Sequence, residues 1–266
     1  MLELDEERAA SRNPLPGVRS ASMPTVSGAR QPALYAHRLG GAYGPESSRA
    51  GLERSLEHAV DGVEVDVVLS GDGDPVCIHD PFLELAIDRE GWAHETPTRE
   101  LLSAHLLDGS GKPSDESPIA LTDLLAAVPA EVSIQVDVKA YADSALARET
   151  AARTCELVSE AGIAGRVEVI SFFAEGWEAA TDAGFPARIV TWSDHDPDRL
   201  AALAAERGLG VSAEGFIVSA RLWAPLEARG VGLSVGGVNS VEQFALLPGT
   251  PEIVVSDAPH LLGPGR

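Results

Sequence analysis

The stretch Gly62-Val-Glu-Val-Asp-Val-Val-Leu69, continued by Ser70-Gly-Asp-Gly-Asp-Pro75 and Val76-Cys-Ile-His-Asp80, decides how the rest of the chain is read. Residues 63–67 alternate apolar and acidic with a period of two, and the Gly/Asp/Pro segment that follows is turn chemistry, so the stretch predicts a β-hairpin. If Leu69 faces Val76 across the turn, antiparallel counting sets Asp66 opposite His79, with Glu64 two residues along on the same face. Val63, Val65 and Val67 then point the other way. Two carboxylates held that close repel, which raises a carboxyl pKa unless a cation is present. A hard divalent ion with oxygen ligands is the simplest relief.

Polar groups stand at the ends of other apolar runs as well. His37-Arg38 closes the run 33–36, Pro45-Glu46 follows a glycine-containing loop, and Asp137-Val138-Lys139 closes the alternation Val132, Ile134, Val136, Val138. Lys112 and Lys139 are the only lysines among 20 basic residues, so a lysine beside an aspartate at a strand end is not compositional filler. A third carboxylate with a neighbouring cation suits a metal plus an anionic substrate, and a plain strand-end ion pair is the competing reading. Further strand-like runs cover 167–171, 187–192, 214–218, 231–235 and 252–256. Helical segments are expected over 47–60, 145–161, 175–183, 197–207 and 240–247, with Pro197 in a first turn and Ser240 with Gln243 as a capping box. This alternation predicts a parallel sheet covered by helices. With 33–36 and both hairpin arms, nine strands compete for the sheet. Pro97, Gly109, Gly111, Pro113 and Pro118 interrupt the rhythm over 82–118. Residues 1–31 read as a partly disordered amino-terminal extension, and 32–266 as one domain.

In order, the chain offers His37-Arg38-Leu39, Pro45-Glu46-Ser47-Ser48, Glu64-Val65-Asp66-Val67, Asp72-Gly73-Asp74-Pro75-Val76, His79-Asp80, Ile119-Ala120-Leu121, Asp137-Val138-Lys139, Ile170-Ser171-Phe172 and Ser256-Asp257-Ala258-Pro259. Over residues 33–262 this series resembles the glycerophosphodiester phosphodiesterases. The departures are Leu39 for a family glycine, Ser47 for asparagine, Asp137 for glutamate, and Val235-Gly236-Gly237-Val238-Asn239 where Trp-Thr-Val-Asn is usual. The resemblance implies a TIM (β/α)8 barrel with a small insertion, at about 82–118, after the early hairpin, one of the nine strands lying outside the barrel. It implies metal-dependent hydrolysis of a glycerophosphodiester to glycerol 3-phosphate and an alcohol, with His37 and His79 as general acid and base. On that reading Arg38 and Lys139 hold the phosphate. Glu64, Asp66 and Asp137 bind one divalent ion, Mg2+ or Ca2+, with Glu46 a fourth ligand or a partner behind the ligands. Trp192 and Asn239 are candidate pocket residues. Asp-x-Lys at 137–139 also resembles the sphingomyelinase D-like phospholipases, which act on lysophospholipid head groups, and a barrel that binds phosphodiesters without turnover is the non-enzymatic alternative.

The formal charge of −21 argues against nucleic acid and anionic lipid surfaces as partners. A small phosphodiester must then be attracted locally, by metal, Arg38 and Lys139. Cys77 and Cys155 are too few for a disulfide framework or a zinc site. Met1 to Ala10 contains Asp5, Glu6 and Glu7 and lacks the apolar core of a secretory signal. No run approaches the ~18 apolar residues of a membrane span. A cytoplasmic protein without a stable membrane anchor is expected, and the oligomeric state is left open.

Overall fold

The computed structural model describes residues 31–263 apart from Ala142, so the extension expected over 1–31 falls outside the described residues save its last position. The elements in chain order are β1 (Ala33–Ala36), α1 (Arg49–Leu56), β2 (Gly62–Leu69), β3 (Pro75–Cys77), α2 (Thr98–Leu102), β4 (Ile119–Ala120), α3 (Leu121–Ala127), β5 (Ser133–Val138) and α4 (Ser144–Glu160). They continue with β6 (Val167–Ser171), α5 (Ala174–Asp182), β7 (Ala187–Thr191), α6 (Pro197–Arg207), β8 (Gly210–Glu214), α7 (Ala220–Ala228), β9 (Leu233–Gly236), α8 (Val241–Ala245) and β10 (Ile253–Ser256).

The period-two pattern now has a three-dimensional meaning. Val63, Val65 and Val67 of β2, Ile134, Val136 and Val138 of β5, Val211 and Ala213 of β8 and Leu233 and Val235 of β9 all join one core with the helices. The alternate residues turn inward, so β2 is buried on both faces, carboxylates included. Eight parallel strands run β1-β10-β9-β8-β7-β6-β5-β2, and pairing of Tyr35 and Ala36 with Gly62 and Val63 closes the ring. This is the expected TIM barrel. Gly62 is required at that closure, because a Cβ there would lie 2.5 Å from the Tyr35 ring. At the opposite end from the strand carboxyl termini, Arg188 reaches Glu168 and Glu252 and ties three strands together.

β2 overshoots the ring. Its first residues pair with β1 and its last with the antiparallel β3, which pairs in turn with β4, and β3 and β4 stand outside the barrel. The hairpin register differs from expectation by one residue: Val67 faces Cys77, Val68 faces Val76 and Leu69 faces Pro75. The turn decides this. Ser70 N donates to Asp74 O, Asp74 N donates to the Ser70 hydroxyl, and Gly73 takes φ 84°, so five residues form the loop and Leu69–Pro75 becomes its first pair. His79 therefore lies beyond the end of β3 rather than opposite Asp66.

A second correction concerns the strand expected over 214–218. The strand is 210–214, and Gly215–Ile217 forms a 3-10 turn. Gly208 ends α6 in the left-handed region, so β8 starts almost at once, and its small residues pair with β9 where the denser apolar run does not. Between β3 and β4, Ile78, Leu83, Ile87, Leu101 and Leu106 build a separate small core with Val68 and Val76. No helix among the described residues is long and apolar enough to cross a membrane.

Candidate active site

The carboxyl ends of β1, β2 and β5 meet in one cleft. Glu64 and Asp66 enter from β2, Asp137 from β5, and Lys139 follows one turn of the pleat later. Parallel pairing aligns Asp66 directly with Asp137, so the shorter side chain at 137 still reaches its neighbour. One oxygen from each of Glu64, Asp66 and Asp137 lies within 4.8 Å of the others, and all three residues are buried. Lys139 Nζ donates to Asp137 and lies 2.9 Å from Asp66 Oδ1. Asp66 Oδ2 and Asp137 Oδ1 are buried without a hydrogen-bond partner. Three carboxylates facing one lysine, with two orphaned oxygens, is a donor set that can hold a hard divalent cation.

The electrostatics follow from that crowding. Burial and the Asp66 charge push the Glu64 carboxyl up, and burial does the same to Asp137. Burial opposes ionisation of Asp66 too, but Lys139, His79 and Arg38 outweigh it and hold its carboxyl low. Lys139 is driven up, its desolvation overcome by Asp137 and Asp66.

Arg38 and Leu39 adopt left-handed φ angles of 49° and 63°, a tight turn that aims His37 and Arg38 at the carboxylates. Arg38 N donates to Glu64 Oε2 at 2.9 Å, and the guanidinium lies 3.6 Å from Asp66 and 2.6 Å from Glu46. Glu46 is half exposed and reaches the site through Arg38; it does not join the three clustered carboxylates. Ser47, in the asparagine position, also has φ 60° and is fully buried.

Each histidine is backed by a carboxylate. His37 Nδ1 is 2.7 Å from Asp257 Oδ1, and His79 Nδ1 is 2.8 Å from Asp80 Oδ2. Burial lowers the His37 pKa, but Asp257 and Glu64 prevail and lift it to about 9. His79 is raised as well, its desolvation outweighed by Asp80 and Asp66. Asn239 does not line the cleft. Its Nδ2 donates to Asp257 Oδ2 at 2.6 Å while its Oδ1 accepts from Asp257 N, so it fixes the carboxylate that holds His37. Trp192 stands at the cleft mouth, 62% exposed, with its ring edge-on to Phe172 at 4.5 Å.

One group of the cleft went unassigned in the sequence, and another was seen there without its partner. The pairing of Asp257 with His37 spans 220 residues; the motif Ser256-Asp257-Ala258-Pro259 marks Asp257 as able to orient the pocket but does not name His37 as the residue it holds. Glu214 lines the cleft but sat at the start of the strand expected over 214–218, which hid its direction.

Residues 37–250 match the glycerophosphoryl diester phosphodiesterase family. This chain belongs to that family. Two solved structures show the same fold. One, from Silicibacter pomeroyi, carries the provisional name glycerophosphoryl diester phosphodiesterase and matches at 21% identity and TM-score 0.75, covering 87% of this chain and 91% of that one. The other is an Oleispira antarctica phosphodiesterase in complex with the product sn-glycerol-3-phosphate, at 22% identity and TM-score 0.73, covering 86% and 94%. Among curated proteins, Bacillus subtilis YqiK, itself uncharacterized, is 32% identical over 108 residues, 40% of this chain and 44% of that protein. A glycerophosphodiester phosphodiesterase of Caldanaerobacter subterraneus is 35% identical over 68 residues, 26% of this chain and 28% of that protein. The chain thus spans less than half the length of these curated relatives.

Proposed function

We propose that this protein is a metal-dependent phosphodiesterase that hydrolyses a glycerophosphodiester to glycerol 3-phosphate and an alcohol. The observation that carries the reading is one cleft holding two carboxylate-backed histidines, a buried oxygen triad, one arginine and one lysine. A pure binding barrel has no need of two oriented imidazoles.

Glu64, Asp66 and Asp137 would hold one divalent ion, with Mg2+ or Ca2+ suited to the all-oxygen set. When bound, the ion offsets negative charge on the phosphoryl oxygens. Arg38 offers a planar fork and Lys139 a point charge to the same phosphate. His37, with Nδ1–H donated to Asp257, is disposed to carry a proton at neutral pH, which suits it to protonate the departing alcohol oxygen through Nε2. His79, steadied by Asp80, takes a proton from the attacking water as the water oxygen bonds to phosphorus and the bond to the alcohol oxygen breaks. Cytoplasmic action on a small soluble diester completes the proposal. Tyr141, Trp192 and Phe216, exposed on the loops after β5, β7 and β8, favour a second reading in which the diester is a lysophospholipid.

The test is an assay of chelator-stripped protein on glycerophosphocholine, glycerophosphoethanolamine, glycerophosphoglycerol and lysophosphatidylcholine, with Mg2+, Ca2+ or Mn2+ restored. Metal-dependent release of glycerol phosphate by the native chain, lost in His37→Ala and Glu64→Ala, is expected. Turnover of lysophosphatidylcholine alone selects the second reading, and turnover insensitive to either substitution refutes the site.

A further inference from the structure

The cleft contains one carboxylate that the chemistry above does not use. β8 ends at Glu214, whose half-buried side chain lines the same cavity as His37, His79 and the oxygen triad. The other acids lining it are engaged: Glu64 accepts from Arg38 N, and Asp66 and Asp137 face Lys139. The Glu214 carboxylate has no hydrogen bond or ion pair among the described residues. A partly desolvated carboxylate without a partner is unfavourable unless a ligand supplies one.

Its surroundings indicate what kind of ligand. On the β7 side stands the exposed indole of Trp192, packed edge-on against Phe172. Lys139 Nζ lies over the Phe172 ring, 5.6 Å from its centroid, so the Trp192 indole is the aromatic surface left open to a ligand. On the β9 side the wall is bare backbone. A Cβ on Gly237 would come 2.9 Å from Glu214 Oε2, and one on Gly236 would come 3.5 Å from Oε1. Gly237 has φ 68°, so any other residue there is strained as well as crowded. The two glycines, where the family pattern has tryptophan and threonine, keep the carboxylate open to the cleft. A carboxylate that shares a cleft with an exposed indole attracts a positively charged group, and most strongly one that is weakly hydrated, because both the charge and the ring quadrupole act on it.

We propose that Glu214, with Trp192, forms a subsite for a cationic alcohol group, so that the preferred diester carries an aminoalcohol or quaternary ammonium alcohol on its phosphate. The assignment rests on the phosphodiesterase reading of this cleft. It adds what that reading lacks, a physical basis for choosing among alcohols: phosphate held at Arg38 and Lys139, positive charge at Glu214.

The experiment pairs glycerophosphocholine with its neutral carbon isostere, the 3,3-dimethylbutyl diester, so that shape is constant and only charge differs. In the native enzyme kcat/KM for the choline diester should exceed that for the isostere by about tenfold, equivalent to ~1.4 kcal/mol. Glu214→Gln should bring the ratio close to one, and Glu214→Asp, which keeps the charge, should retain part of the preference. A ratio near one in the native enzyme, or one that survives Glu214→Gln, overturns the proposal. Calorimetry of choline alone separates the two readings. If no diester is turned over, the phosphodiesterase reading fails; choline binding to the native protein and not to Glu214→Gln then still supports the subsite, while equal binding or none refutes it.

Discussion

Leu39 offers a sharp test of how the turn behind the active site is held. It has φ 63°, in the region where L-residues are crowded, yet it is fully buried in the main core and its carbonyl accepts the Ser55 hydroxyl at 2.9 Å. The left-handed conformation costs a residue with a Cβ roughly 1–2 kcal/mol. Truncating a fully buried leucine to alanine costs about 3–5 kcal/mol. Leu39→Ala loses the packing and keeps the strain, whereas Leu39→Gly loses slightly more packing and sheds the strain. Glycine should therefore be the more stable of the two by about 1 kcal/mol, inverting the usual order, in which glycine is the weaker by roughly 0.5–1 kcal/mol. Alanine should lie about 3–5 kcal/mol and glycine about 2–4 kcal/mol below the native protein, at roughly 2–4 °C of Tm per kcal/mol for a domain of this size. Urea midpoints at constant m measure the series. Alanine matching or exceeding glycine refutes the strain argument, and variants as stable as the native chain refute the packing argument.

Three further outcomes follow from the same geometry. In chelator, His37 binds its proton more tightly folded than unfolded, since its pKa rises from 6.5 to about 9. Its stabilisation, at most ~3 kcal/mol, is complete below the unfolded value and disappears as pH climbs through the folded one. Urea midpoints at about pH 6 and about pH 9.5 should show that loss, and Asp257→Asn should flatten it; an undiminished slope in the variant would assign the effect elsewhere. Lys139→Met leaves Asp66 and Asp137 buried without their ammonium partner, so metal-free stability should drop by roughly 3 kcal/mol and recover in part when Mg2+ or Ca2+ is titrated in; a deficit blind to metal contradicts the shared site. Asn239→Leu frees the Asp257 carboxylate that orients His37 and should lower kcat by about 10–100-fold with little change in KM, which steady-state kinetics on any accepted diester will check.

Much of the architecture was readable along the chain. Val63-Glu-Val-Asp-Val67 and Ile134-Gln-Val-Asp-Val138 reveal buried strands carrying polar residues on one face, because that pattern depends only on neighbours two apart. The rhythm of strands and helices, together with the motif series, pointed to the barrel. The hairpin register was not readable, since hydrogen bonds between Ser70 and Asp74 set the first pair. Nor was the β8 span, where ladder partners on β9 outweigh the apolar density of Phe216 to Val218.

The residues able to carry charge into the barrel were legible along the chain: Glu64, Asp66 and Asp137 from strand parity, which is local, and His37 and Lys139 from their places just after apolar runs. Their partners came from the assembled barrel: Asp257 and Asn239 behind His37, Glu46 on Arg38, and the Glu214 carboxylate left unpaired opposite Gly236. The reason is ring closure. Pairing β1 with both β2 and β10 brings together strand ends more than 200 residues apart, a relation that no local periodicity encodes.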